Sequence, residues 1–193
     1  MNSFSKKILF VSSLILILVY FFPIWSIDLQ APQYPEGLGL KIWINQISGQ
    51  KEFDLQNING LNHYIGMKPI NPEDIPELKI MPFIIGFMIL FGLFNAFKGN
   101  RKTVMTWIIL FILLGAIGLY DFYIWEYNYG HNLSPDAPIK VPGMSYQPPL
   151  IGSKQLLNIK AVSLPDISSY IILVSIVLAA YAVYIDKKKS KNA

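Results

Sequence analysis

Residues 78–125 have the sequence LKIMPFIIGFMILFGLFNAFKGNRKTVMTWIILFILLGAIGLYDFYIW. This stretch contains two long apolar blocks separated by a short basic link at residues 98–102. Each block has about 20 largely apolar residues, the length that an α-helix needs to cross the hydrocarbon core of a bilayer. The stretch therefore predicts two transmembrane helices, with spans at residues 78–97 and 104–125.

Two further apolar blocks, at residues 8–27 and 169–185, flank these two predicted spans in the sequence. The chain has 193 residues, of which 53% are hydrophobic, and its mean hydropathy is +0.41. No small-residue cleavage site follows the first block, so it is predicted to be an uncleaved anchor. We therefore predict an all-α integral membrane protein with four transmembrane helices in two tandem helical hairpins, forming one membrane domain over residues 1–193.

The basic residues are grouped at three places that fall on one side of a four-span topology. These groups lie at residues 6–7, 98–102 and 187–191. Loops rich in Lys and Arg stay in the cytoplasm, so both termini are predicted to be cytoplasmic. Residues 28–77 and 126–168 then form two structured outer loops. The grouping also accounts for the net charge of +4 without nucleic acid, which is not an expected partner.

The first outer loop carries a local strand signal. Apolar residues alternate with other residues over 38–45, and this period of two is typical of a half-buried strand. Residues 48–50, Ser-Gly-Gln, then predict a turn, and residues 52–58 are predicted to return as a second strand. The loop is therefore expected to contain a small exposed hairpin.

Two motifs recur in the same order in both halves of the chain. FPIW at residues 22–25 corresponds to FYIW at 122–125, and APQYPEGL at 31–38 corresponds to APIKVPGM at 137–144. One interpretation is an ancestral duplication that makes the two halves a parallel repeat, so that both halves leave the membrane in similar ways. The other interpretation is that membrane-exit segments share Trp and Pro for interfacial reasons.

Histidine and methionine occur together in both outer loops. His63 and Met67 are four residues apart in GLNHYIGM, a spacing that puts both side chains on one face of a helix. His131 and Met144 lie in the second loop. Imidazole and thioether ligands without thiolate suit copper, above all Cu(I), so these four residues are candidate copper ligands. The alternative is structural: the histidines bond loop backbone and the methionines pack at the membrane surface.

Acidic residues stand at the outer end of the third span, as Asp121 and Glu126. An acid within a span is costly and is usually paired or functional. Pairing of Asp121 with Lys140 or Lys154 is one interpretation, and a proton relay is the other. Aromatic side chains are frequent anchors for protein partners. The outer residues predicted to face a partner are Tyr64, Tyr146, Asp121 and Glu126.

Five strings cover both outer loops and their flanking spans: PQYPEGLGLKIWIN, GLNHYIGM, YGHNLSPDAPI, YQPPLIG and LLNIKAVSLP. They resemble the NosB family of small four-span proteins, which is encoded with the second clade of nitrous oxide reductase. The resemblance implies an accessory protein of nitrous oxide reduction in the cytoplasmic membrane of a bacterium. The reductase is a periplasmic copper enzyme, so the resemblance also implies an extracytoplasmic client. The resemblance does not assign a catalytic role to any residue of this sequence.

Familiar catalytic signatures are absent from the sequence, which has no P-loop, dinucleotide fingerprint, HExxH, CxxC or GxSxG motif. An enzyme is therefore not predicted. The leading hypothesis is an accessory factor that supports reductase maturation or electron delivery through its outer loops. The alternatives are a membrane copper-binding protein and an integral membrane enzyme. The lipid bilayer and proteins of the nitrous oxide reductase system are the expected partners.

Overall fold

The computed structural model describes residues 1–191, and within them five α-helices combine with a five-stranded antiparallel sheet. The predicted all-α class is therefore wrong. The helices are α1 (Ser3–Ile15), α2 (Asp54–Ile65), α3 (Glu77–Lys98), α4 (Arg101–His131) and α5 (Ile167–Lys191). The strands are β1 (Trp25–Ala31), β2 (Tyr34–Ile42), β3 (Ile47–Gly49), β4 (Gly152–Leu156) and β5 (Ile159–Pro165). Short 3₁₀ helices cover Leu16–Tyr20 and Pro72–Asp74.

Four helical segments in the described chain are long and apolar enough to cross a membrane: Ser3–Tyr20, Glu77–Lys98, Arg101–His131 and Ile167–Ser190. The first joins α1 to the following 3₁₀ helix, and the larger rise of the 3₁₀ turns brings its length to about 30 Å. That length matches the hydrocarbon core. The first span was expected at residues 8–27, but its last three residues lie in β1.

Small side chains allow the four long helices to pack closely. α1 lies against α3 and α5, and α4 contacts both α3 and α5. Ser12 and Ser175 each donate from Oγ to the other's carbonyl oxygen at 2.8 Å. A Cβ atom on Gly92 of α3 would collide with the Ser13 side chain of α1. Interfaces of small residues with interhelical hydrogen bonds are the usual way in which helices associate in a membrane.

The two ends of the described chain meet at one end of the bundle, which we call the terminal end. The carboxylate of Asp186 on α5 accepts hydrogen bonds from the backbone N–H of Asn2 at 2.6 Å and from Nε of Arg101 at 2.6 Å. The Arg101 guanidinium also donates to the Asp186 carbonyl oxygen at 2.8 Å. Asp186 therefore ties the starts of α1 and α4 to the end of α5.

The opposite end, which we call the sheet end, carries both connecting segments, residues 21–76 and 132–166. The strand order is β3-β2-β1-β5-β4, so that β1 of the first segment pairs directly with β5 of the second. The pairing runs from Trp25 opposite Pro165 to Gln30 opposite Lys160. The two segments thus form one sheet instead of two separate loops.

Serine side chains hold this sheet to the long apolar helices. The apolar helix at the start of the chain ends before Pro23, and the carbonyl oxygens that follow have no helical partners. Ser168 at the start of α5 donates from Oγ to the Phe22 carbonyl, and Ser169 donates to the Ile24 carbonyl, both at 2.6 Å. The exit of the first apolar helix is therefore fixed against the entry of the last.

One face of the sheet is apolar and packs against α2 and α4. Its buried core contains Trp25, Ile27, Leu38, Leu40 and Ile58. The predicted strand at residues 52–58 is wrong, because this stretch enters α2. Asp54, the first residue of α2, is 3% exposed and accepts a hydrogen bond from the backbone N–H of Gly39 at 2.9 Å, which anchors the helix to β2.

The predicted similarity of the two membrane exits is also wrong. Residues 22–38 pass directly into β1 and β2, whereas α4 continues to His131 before the chain becomes irregular. Trp25 is buried in the sheet core. Its counterpart Trp125 lies on a helix and stacks on Tyr129 with ring centroids 4.2 Å apart. The shared Trp residues thus occupy different environments.

Candidate functional site

The GLNHYIGM stretch lies at a seam between the two connecting segments. α2 ends at Gly66, which has a positive φ of 80°, a conformation that glycine adopts without strain. The Gly66 carbonyl accepts a hydrogen bond from the Ser134 N–H at 2.8 Å, and the Tyr64 carbonyl accepts one from the Ile139 N–H at 2.9 Å. A Cβ atom at position 66 would come within 2.8 Å of the Ala137 Cβ, so the close contact needs glycine.

His63 and Tyr64 point away from the protein at this seam. Both are exposed, Tyr64 to 55%, and their rings meet edge to face with centroids 6.0 Å apart. Met67 is half-buried beyond the end of α2. The seam therefore offers an imidazole and a phenol ring on an accessible surface, and Tyr64 is exposed as a partner-facing residue requires.

His131, the last residue of α4, has its ring held in one orientation. Its Nδ1 lies 3.0 Å from the Tyr127 carbonyl oxygen. The His131 ring also stacks on the Tyr127 ring, with centroids 4.0 Å apart. Since a carbonyl can only accept, Nδ1 is the donor in this hydrogen bond. Imidazoles that bind metals are commonly oriented by such a bond from the other ring nitrogen.

The four candidate copper ligands are not joined to one another by hydrogen bonds or ring contacts within the described residues. Met144 is half-buried in a turn in which its N–H donates to the Val141 carbonyl. Within residues 1–191, no hydrogen bond or ring contact joins any two of His63, Met67, His131 and Met144. Over the same residues, no group of three or more His, Cys, Asp or Glu side chains is placed to hold a metal ion. The seam brings together the backbone that carries His63, Met67 and His131.

Glu126 and Tyr146 lie inside the protein, where a partner could reach neither side chain. They are 5% and 4% exposed, and neither the Glu126 carboxylate oxygens nor the Tyr146 hydroxyl has a hydrogen-bond partner in the described chain. The Tyr146 N–H donates to the Gly130 carbonyl at 2.9 Å. A Cβ on Gly130 would lie 2.3 Å from the Gln147 nitrogen, so this glycine lets the segment cross α4 one turn beyond Glu126.

Asp121 does not form the predicted ion pair. It is half-buried on α4, and the ion pairs within residues 1–191 are Lys41–Asp166 and Arg101–Asp186. Lys154 instead donates to the Gln147 carbonyl at 3.0 Å. The pairing of Asp121 with Lys140 or Lys154 is therefore not observed.

An open groove of about 550 Å³ lies at the tip of the sheet, and the sequence did not predict it. Its lining comes from both connecting segments and includes Tyr34, Glu36, Gln30, Lys160 and Gln155. Gln30, Lys160 and Gln155 lie opposite one another across β1, β5 and β4, and such cross-strand neighbours share a face of the sheet. The only local signal was the turn chemistry of the prolines and the glycine at positions 32, 35 and 37.

Lys51 holds the backbone of one wall of this groove in place. Its Nζ donates to the carbonyl oxygens of Glu36 and Gly37, both at 2.9 Å, at a point where Gly37 adopts a positive φ of 70°. The groove therefore carries amide, carboxylate, ammonium and phenol side chains on a backbone that is held in place.

No protein-family model matches the chain, and no curated protein is significantly similar to it. The function must therefore be inferred from the geometry of the sheet end together with the sequence.

Proposed function

We propose that the chain is a membrane-anchored accessory factor that docks an extracytoplasmic protein of the nitrous oxide reductase system on its sheet. The observation that carries the docking role is the groove formed jointly by the two connecting segments. The assignment to nitrous oxide reduction rests on the resemblance of the sequence strings to the NosB family. The role itself is non-catalytic: the bound partner is supported during maturation or electron delivery.

The groove suits a protein partner because the backbone that carries its polar side chains is already in position. Three strands hold Gln30, Lys160 and Gln155 in a row, so binding would not have to order a flexible loop. A preformed surface binds more tightly than a mobile one because less conformational entropy is lost. Glu36 and Lys160 are both exposed and would give the surface charge specificity.

The distribution of charge supports an orientation with the sheet end outside the cytoplasm. Lys6, Lys7, Lys98, Arg101 and Lys102 belong to the terminal end, as do the lysines at 187–189. Positively charged short loops stay on the cytoplasmic side. Both termini are then cytoplasmic, and the protein lies in the cytoplasmic membrane of a bacterium with the groove facing the reductase.

Copper binding at the seam is the second candidate function. It is favoured by the orientation of His131, whose Nδ1 hydrogen bond leaves Nε2 free, and by the exposure of His63. Copper would be held by the imidazoles of His63 and His131, with Met67 and Met144 as the soft donors. This candidate differs from simple docking because it requires those side chains themselves.

Complementation of a deletion strain tests the docking role. Deletion is expected to lower nitrous oxide consumption without lowering reductase transcription, and the wild-type gene should restore it. Lys160→Glu should restore about fivefold less activity, because a like-charge contact replaces a favourable one, while membrane levels of the protein stay unchanged. Lys140→Glu makes the same charge change at an exposed residue outside the groove and should restore the wild-type rate.

Further arms of this assay separate the two candidate functions. A His63→Ala/Met67→Ala variant that fails only under copper limitation would favour copper binding. Consumption by the deletion strain at the parental rate, with copper limited as well as sufficient, would contradict the accessory role. An equal loss of nitrous oxide consumption in the Lys160→Glu and Lys140→Glu strains would contradict docking at the groove.

A further inference from the structure

A second groove lies far from the sheet, between α1 and α5 near the terminal end. It has a volume of about 200 Å³ and is lined by Lys7, Ile8, Val11 and Leu178. All four residues belong to segments that are apolar enough to span a membrane. The groove is thus an apolar trough between the two helices, to which Lys7 contributes the aliphatic part of its side chain.

Close packing of the two helices shapes this trough. Ser12 and Ser175 are fully buried and exchange hydrogen bonds at 2.8 Å, so the helix backbones approach one another there. Val11 immediately precedes Ser12 in the sequence and remains 51% exposed. Leu178 lies one turn along α5 from Ser175. These larger side chains stand beside the serine contact and form walls of the groove instead of filling it.

The charge around the groove is not neutralised by the protein. Asp186 is the acidic residue at the terminal end, and it is bound to Arg101. Lys6 donates to the Phe97 carbonyl at 3.1 Å. Within residues 1–191, no acidic group lies within ion-pair distance of Lys7. The mouth of the groove therefore has a positive charge that is available to a ligand.

A second lysine adds positive charge on the α5 side of the groove. Lys189 Nζ lies 5.9 Å from the centre of the Phe4 ring, one helical turn before Lys7 and Ile8 on α1. The ring is 53% exposed. An ammonium over an aromatic face is a weak attraction, but it places the Lys189 charge beside the same helix that forms the groove.

We propose that this groove binds an anionic phospholipid, with part of one acyl chain along Ile8, Val11 and Leu178 and the phosphate at Lys7. The apolar walls favour a chain over a free phosphate ion, because burying apolar surface provides the affinity and the ammonium provides the charge selectivity. A zwitterionic lipid carries its own cation beside the phosphate and gains less from Lys7. The bound lipid bridges α1 and α5 and stabilises their association.

The test measures the thermal midpoint of the detergent-purified protein after addition of phosphatidylglycerol or phosphatidylcholine. A ligand that binds only the folded state raises this midpoint. For the wild type, phosphatidylglycerol should raise it at least about twice as far as phosphatidylcholine. Lys7→Gln, which removes the charge, and Val11→Trp, which fills the trough, should each remove at least half of that difference. Native mass spectrometry should show the same loss of retained phosphatidylglycerol.

Lys102→Gln is the matched control, because Lys102 is exposed at the same end of the bundle but lies outside the groove. This variant should keep the wild-type preference. Equal shifts with the two lipids in the wild type would overturn the proposal. The proposal would also be overturned if Lys102→Gln and Lys7→Gln lost the preference for phosphatidylglycerol equally, because that result would indicate a general surface-charge effect. A Val11→Trp variant that keeps full lipid preference would exclude this groove as the binding place.

Discussion

Replacement of Trp25 by alanine is expected to destabilise the protein by about 3–5 kcal/mol, the usual cost of removing a large buried aromatic side chain. Trp25 is 7% exposed and meets the Phe122 ring of α4 edge to face, with centroids 5.6 Å apart. Its Nε1 donates to the Ser163 hydroxyl of β5 at 2.8 Å. One side chain thus connects β1 to the apolar helix α4 and to the second segment. The thermal midpoint in detergent should fall by about 10 °C.

Trp25→Phe is the control for this prediction. It keeps an aromatic ring against Phe122 but removes the Nε1 hydrogen bond. The expected loss of stability is therefore about 1 kcal/mol. Size-exclusion chromatography after heating measures both variants without relying on tryptophan fluorescence. A Trp25→Ala midpoint within about 2 °C of wild type would contradict the role of Trp25 in joining the sheet to the helices.

Replacement of Asp186 by alanine should be nearly as damaging at the other end of the bundle. The Asp186 side chain is 8% exposed and binds Arg101 and Asn2. Without it the Arg101 guanidinium, which is 39% exposed, loses its counter-ion. Removal of one partner from a fully buried pair costs about 3–5 kcal/mol, and the partial exposure of Arg101 reduces the expected cost to about 2–3 kcal/mol.

Asp186→Asn separates charge from hydrogen bonding at this site. The asparagine oxygen can still accept from the Asn2 N–H, so this variant should lose less stability than Asp186→Ala. The same thermal assay in detergent measures both. If the Asp186→Ala protein has the same thermal midpoint as the wild type, the contacts of Asp186 do not hold the helix ends together.

The lengths of the apolar blocks were enough to predict four long apolar helices, but the sheet depends on pairing between distant residues. β1 and β5 are separated by more than 120 residues, and the SKQ portion of β4, residues 153–155, has no apolar residue to produce an alternating pattern. Sheet formation here reflects the arrangement of the helices, which brings the two segments to the same end. A local pattern in the sequence does not report that arrangement.

The strand predicted at residues 52–58 is largely helix in the structure, and part of the cause is a tertiary contact. Phe53 and Leu55 suggest a period of two, but Leu55, Ile58 and Asn62 follow the helical period and face the protein. The buried Asp54 carboxylate binds the Gly39 N–H, a tertiary contact that sequence spacing does not show. Tertiary contacts of this kind commonly override weak strand signals.

The candidate site was only partly predictable for the same reason. GLNHYIGM was singled out by its residue types, and the structure places it at the seam between the two segments. The groove was missed because its walls come from turns more than 100 residues apart. Burial of Glu126 and Tyr146 was also not visible, since it depends on the passage of residues 146–147 over Gly130.

Disulfide cross-linking tests most directly whether the two segments form the single sheet on which docking depends. The chain has no cysteine, so introduced pairs are unambiguous. Gln30 and Lys160 are register partners and both exposed, and directly opposed residues have Cα atoms about 4.5–5.5 Å apart, within disulfide range. The readout needs a protease site inserted in the link at residues 98–102, so that cleavage separates the two halves unless a disulfide joins them.

After mild oxidation and cleavage, the Gln30→Cys/Lys160→Cys protein should run as one species on a non-reducing gel and as two after reduction. Gln30→Cys/Ala161→Cys is the control, because neighbouring strand positions point to opposite faces, and its fragments should separate without reduction. Separation of the in-register pair, or equally efficient cross-linking of the shifted pair, would contradict the β1–β5 pairing and with it the joint docking surface.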